Sequence, residues 1–179
     1  MGNDRINGRF EIGCYKRSDH GDRWKVKKMM WLAAGLLIAI PVLGLVLLSW
    51  TAERPDNIGI KLGRLSDCPD SPNCVSSQAV DQQHAIEPIH FDGSKDEAMT
   101  KLVAILDARP RTNIVTQNDQ YLHAEMKSRL FRFTDDIEFL IDRDAQRIHV
   151  RSAARVGHSD FGVNRSRVET IRRDFAAGQ

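Results

Sequence analysis

The stretch "VRSAARVGHSDFGVNR", residues 150–165, gathers Arg151, Ser152, Arg155, His158, Asp160, Asn164 and Arg165 into one short segment. Such a loop, leading into a helix, can cradle an anion. Guanidinium forks grip phosphate or carboxylate in pairs, and backbone N–H groups at the helix start add a positive end. Gly157 and Gly162 offer bend points. The same residue types fit an alternative in which Arg155 and Arg165 pair with Asp135, Asp136 or Asp160 and simply lock the loop. Asp135 raises its own question. If "LFRFTDDIEFLID" runs as one strand, Asp135 shares a face with Phe131, Phe133, Ile137, Phe139 and Ile141. A carboxylate there must be held by arginine or backbone donors, or a bulge between Asp135 and Asp136 must turn it outward. Hydrolysis is a third chemistry. Ser152 or Ser159, His158, and Asp135 or Asp160 are the right types for nucleophile, base and orienting acid. No G-x-S-x-G elbow accompanies them. Asp135, Asp136, Arg151, Ser152, Arg155, His158, Asp160, Asn164 and Arg165 thus form a candidate ligand or ion-pair site. No catalytic residue, cofactor or metal is assigned.

The elements that must position these residues follow from pattern. "HAIEPIHF" (84–91) suits an edge strand, because Pro88 lacks a ladder donor. "SKDEAMTKLVAILDA" opens with a Ser94/Glu97 capping box, and Ala98, Leu102, Ile105 and Leu106 recur at helical spacing. Period-two runs follow: "TNIVTQ", "YLHAEMKS", "LFRFTDDIEFLID" and "QRIHVRSA", the last two joined through "RDAQ". His123 and His149 are expected to alternate with their neighbours and face solvent or a partner. "NRSRVETIRRDF" closes with Val168, Ile171 and Phe175 in one stripe and Asn164 or Ser166 as cap. The order β-α-β-β-β-β-α predicts an α+β fold. Short links force a mostly antiparallel sheet of about five strands, with two helices covering one face.

Upstream, the chain changes character. Residues 29–48, "MMWLAAGLLIAIPVLGLVLL", carry no charge and span roughly 30 Å as a helix, the thickness of a bilayer core. Trp31 and Trp50 sit near the two ends of the run as interfacial anchors, and Pro41 predicts a mild kink. A cleaved signal peptide competes with this reading, but the leader and apolar run are long and "LLSWTAERP" is a poor cleavage site. Four basic residues, Arg23, Lys25, Lys27 and Lys28, stand just before the run. Residues 1–28 hold eight basic and four acidic residues, whereas the rest holds 18 and 20. Positive-inside logic therefore predicts a cytoplasmic leader (1–28), a transmembrane helix (29–50), a linker (51–64) and an extracytoplasmic domain (65–179). The predicted location is the inner (plasma) membrane, crossed once, with the domain periplasmic. The lipid bilayer is one partner, and a lipid, small anion or membrane protein is another. No nucleic acid is expected, since no basic patch with interleaved aromatics occurs.

That topology bears on "CPDSPNC". Outside the cytoplasm Cys68 and Cys74 are expected to form a disulfide across a Pro- and Asp-rich turn, contributing about 2.4 kcal/mol by loop entropy. The alternative ligand set Cys68, Cys74, His84 and His90 matches no common zinc spacing. Cys14 falls on the cytoplasmic side, where a free thiol is normal.

Three segments together, "CPDSPNCVSSQ", "YLHAEMKSRLFRFTDDIEFLID" and "IHVRSAARVGHSDFGVNRSRVETIR", resemble the bacterial and plastid domain of unknown function 1499. The likeness runs from about Leu65 to Phe175 and leaves the leader and apolar run outside. Ala154 stands where the family pattern implies serine. The resemblance implies domain limits and no activity. The element order is also similar to sheet-and-long-helix folds that enclose apolar ligands, which is a guide to fold alone. Three functions follow as expectations: an anchored envelope domain that binds a ligand or partner, a hydrolase-type enzyme using the Asp135/Arg155/His158 region, or a structural accessory of a membrane complex.

Overall fold

The computed structural model describes residues 20–178. Cys14 and the expected leader as far as residue 19 lie outside the described residues. The chain divides into two compact units between Val42 and Leu43. Helix α1, His20–Thr51, runs through Pro41 and crosses this division. Within it, Arg23–Thr51 is long and apolar enough to cross a membrane, by length and composition. Its leucines and isoleucines are largely exposed, Leu37 and Ile38 among them.

The second unit is an α+β domain. Its strands are β1 (Ile60–Lys61), β2 (Arg64–Leu65), β3 (Cys74–Ser76), β4 (Ile89–His90), β5 (Thr112–Gln117), β6 (Tyr121–Lys127), β7 (Thr134–Asp142) and β8 (Arg147–Ala154). Helices α2 (Lys95–Asp107) and α3 (Val163–Ala177) precede and follow the run β5–β8. The main sheet has six strands in the order β3-β8-β7-β6-β5, with β4 also on β8, and every named pair in it is antiparallel. β1 and β2 form a separate small hairpin that spans the end of the segment expected as a linker and the first residue beyond it.

Alternation sorts the sheet into two faces. Leu122 and Ala124 of β6, Ile137, Phe139 and Ile141 of β7, and Ile148 and Val150 of β8 pack with Leu102 and Leu106 of α2 and Val168, Ile171 and Phe175 of α3. The stripes read from sequence are buried over most of their length; Ile105 is only partly buried, and Phe131 and Phe133 lie outside this core. Ser94 caps α2 as expected: its Oγ accepts from Glu97 N at 3.2 Å, and Glu97 Oε2 accepts from Ser94 N at 3.0 Å. The other face carries Tyr121, His123 and Glu125 of β6 opposite Leu140, Glu138 and Asp136 of β7. Leu65 of the small hairpin covers Tyr121 and Leu140 there, with Ile60 packed alongside.

Two local expectations are corrected. α3 starts at Gly162, whose left-handed φ of 80° suits glycine, and not at a side-chain cap from Asn164 or Ser166. Asp160 Oδ2 instead accepts from Asn164 N at 2.7 Å, which frees the Asn164 side chain to turn inward. β7 begins at Thr134, four residues later than the apolar pattern suggests. Arg132 has φ 61°, which breaks the extended run, and Ser128 closes the loop by donating its N–H to Phe133 O at 2.8 Å.

Candidate functional site

The register of β6, β7 and β8 fixes where the polar residues go. β7 pairs without a break from Thr134 to Asp142, so no bulge separates Asp135 from Asp136. The register shift lies instead on β5, between Ile114 and Thr116. Successive residues must then point to opposite faces, and both aspartates are buried.

Asp135 faces the helices. Its Oδ2 accepts from Arg167 of α3 at 2.5 Å. Beside it Ser152 Oγ donates to Asn164 Oδ1 at 2.6 Å, and Asn164 Nδ2 reaches Asn73 O at 3.0 Å. Burial pushes the Asp135 carboxyl above its usual range despite the Arg167 charge.

Asp136 faces the other way, into a buried ionic layer. Arg155 holds it in a fork, Nε to Oδ2 and Nη2 to Oδ1, both at 2.7 Å, and His123 Nε2 lies 2.8 Å from Oδ1. Burial alone would push this carboxyl up, but the bonds from Arg155 and His123 outweigh it and hold the group below its usual range. Arg155 also reaches Glu125 at 2.6 Å, and Arg54 binds the same Glu125 oxygen at 2.7 Å. One register step along, Glu138 is fully enclosed. Its Oε1 accepts from Tyr121 Oη at 2.8 Å and Gly59 N at 2.7 Å, and Oε2 accepts from Arg151 at 3.0 Å. Burial and the Glu138 charge push the Tyr121 phenol upward, so it stays a donor.

The nine candidate residues therefore separate into distinct places. Asp136, Arg151 and Arg155 join on one face; Asp135, Ser152 and Asn164 lie on the opposite one. Arg165 donates to Ala85 O and Gln83 O, and Asp160 bonds the start of α3. His158 is exposed, and among the described residues its side chain has no hydrogen-bond partner. The expected single cradle is not formed, because alternation on β7 and β8 sends neighbouring residues to opposite faces. Ser152 is enclosed with Asn164, and Ser159 Oγ accepts from Phe161 N. No serine–histidine pair forms between either serine and His158.

Pattern reading missed Glu125, Glu138, Tyr121, Arg54 and Arg167, and placed His123 toward solvent or a partner, whereas it is enclosed against Asp136. His123 is 1% exposed. The signal was present in the period-two run "YLHAEMK", where Tyr121, His123 and Glu125 form one polar stripe that must oppose another across β7.

Cys68 and Cys74 are bonded to each other. The bridge ends on the first residue of β3 and fixes Asn73, whose carbonyl accepts from Ala154 N and whose Nδ2 donates to Gly157 O. Both sulfurs are thus committed. His84 bonds Asp81, and no metal-holding cluster of histidine, cysteine and acids occurs among the described residues.

One cavity opens at the edge of the ionic layer. It measures about 360 Å³ and is lined by Ser49, Trp50, Ala52, Glu125, Lys127, Arg132, Thr134 and Arg155. Glu125 is already held by Arg54 and Arg155, whereas Lys127 and Arg132 have no carboxylate partner among the described residues. The lining carries unbalanced positive charge beside a committed acid.

Neither the curated proteins nor the solved structures contain a match to the chain. The family model described as "Protein of unknown function (DUF1499)" matches residues 64–175, which covers β2 through α3, and the chain belongs to that family.

Proposed function

We propose that this protein is a single-pass, membrane-anchored envelope domain that binds an anionic ligand in the cavity formed by Lys127, Arg132 and Arg155. The cavity carries this reading: two cations without acidic partners point to a ligand that brings the missing negative charge. The buried ionic layer favours binding over turnover. The oxygens of Asp136 and Glu138 already accept hydrogen bonds, and both residues are enclosed. Its role in the proposal is to hold Arg155 rigid at the cavity wall.

The placement of the domain outside the cytoplasm of the inner membrane rests on two supports. Arg23, Lys25, Lys27 and Lys28 stand at the start of the apolar run. The Cys68–Cys74 bridge is of a kind that persists in oxidising compartments.

Native mass spectrometry of the full chain released from phospholipid nanodiscs tests the binding. The native protein is expected to retain a phosphate or phospholipid adduct. The Lys127→Ala/Arg132→Ala double variant is expected to lose it at unchanged thermal stability, since both side chains are exposed. Equal adducts on both proteins would contradict the proposal.

A further inference from the structure

The β6–β7 loop, Ser128–Phe133, has the sequence "SRLFRF" and combines apolar and cationic tips. Leu130 is 79% exposed, Arg129 and Arg132 flank it and are exposed, and the Phe131 and Phe133 rings pack at 5.8 Å. Other single apolar side chains are exposed on this domain, such as Val80 at 99%. The β6–β7 loop differs by its neighbour. Arg132 and Trp50 line the same cavity, and Trp50 lies in the last turn of the apolar helix α1, within the same compact unit as the sheet. Trp50 is itself 76% exposed. An indole at the end of a membrane span belongs at headgroup level, so a side chain sharing its cavity lies near that level too.

We infer that the Ser128–Phe133 loop seats on the outer surface of the same bilayer, with Leu130 in the acyl boundary and Arg129 and Arg132 on phospholipid phosphates. Apolar tips flanked by cations suit this interface. The leucine leaves water while the guanidiniums stay at the phosphates, where their charge is complemented. The loop is closed by Ser128, through its N–H to Phe133 O and its Oγ from Phe133 N at 3.0 Å, so its tip is presented without first being ordered. This inference rests on the membrane-anchored reading above and names the source of the anion: a phospholipid of the surrounding leaflet.

The full chain, with Cys14→Ser to remove the cysteine outside the bridge, tests this in vesicles of phosphatidylcholine and phosphatidylglycerol. An environment-sensitive fluorophore is attached through Leu130→Cys, or through Val80→Cys as the control. Lipids bearing a nitroxide at the headgroup serve as quenchers. Quenching at 130 is expected to be about twofold or more stronger than at 80. It should fall toward the control when Arg129→Glu and Arg132→Glu are added. Equal quenching at both positions in a chain that stays with the vesicles after alkaline wash overturns the loop inference and leaves the anchor standing. A chain washed off the vesicles overturns the anchor and the loop inference together. Strong quenching at 130 with no phosphate adduct in native mass spectrometry supports the loop and contradicts the cavity.

Discussion

Adjacent Asp135 and Asp136 show how one register step decides the behaviour of two identical side chains. Burial raises Asp135, whereas the Arg155 fork and His123 hold Asp136 down. Glu125 behaves like Asp136: burial is outweighed by Arg54 and Arg155. The stability that Asp136 and Glu125 supply is present above their unfolded pKa, near 4, and is lost as pH falls through their lower folded values. Asp135 acts oppositely: its contribution is present below its unfolded pKa and disappears as pH rises through the folded one. Urea unfolding of the full chain as a function of pH should therefore lose stability less steeply on the acid side in Asp136→Asn and more steeply in Asp135→Asn. Parallel profiles for the two variants would refute the assignment. Arg155→Ala removes the fork from buried Asp136 and one of two arginines from Glu125, and is expected to cost about 3–5 kcal/mol at neutral pH. The arginines were legible as a cluster in "RSAARVGHSDFGVNR", and the pairing of Arg155 with Asp136 was one of the offered alternatives, whereas the partners of Arg151 and Arg165 were not legible. Arg167, twelve residues beyond Arg155, reaches Asp135 only because α3 crosses the sheet, a tertiary fact that local spacing does not carry.

At the scale of elements, β6, β8, α2 and α3 follow from periodicity because each sends an apolar stripe into the core, and β5 follows from its period-two run although only Ile114 packs against that core. The start of β7 did not follow, since the apolar pattern of Leu130, Phe131 and Phe133 continues through a loop whose end is set by the backbone at Arg132. The hairpin β1–β2 was equally hidden. Two-residue strands have no period to read, and Leu65 is recognisable as core only once Tyr121 and Leu140 are in place. The Cys68–Cys74 bridge links these scales. It holds Asn73 where Ala154, Gly157 and Asn164 meet, joining the end of β8 to the start of α3. Reducing it, or introducing Cys68→Ser with Cys74→Ser, should lower stability by about 2.4 kcal/mol through loop entropy, read from urea midpoints. An unchanged midpoint would mean that the hydrogen bonds of Asn73 fix this corner unaided.

For the whole molecule, chemistry and placement converge on one description. An apolar helix leads into a sheet domain whose buried carboxylates are paired with arginines and whose ionic layer is cationic at one edge. The apolar run is plain in the sequence, because residues 29–48 carry no charge. Which side of a membrane the domain occupies is a property of the cell, so thiol accounting in intact cells addresses it most directly. A membrane-impermeant maleimide is applied to spheroplasts of an expressing bacterial host, with and without reductant, and then after lysis. Cys68 and Cys74 are expected to label from outside only once reduced and locally opened, and Cys14 only after lysis. Labelling of Cys14 in intact spheroplasts, or of Cys68 and Cys74 as free thiols without reductant, would contradict an anchored extracytoplasmic domain.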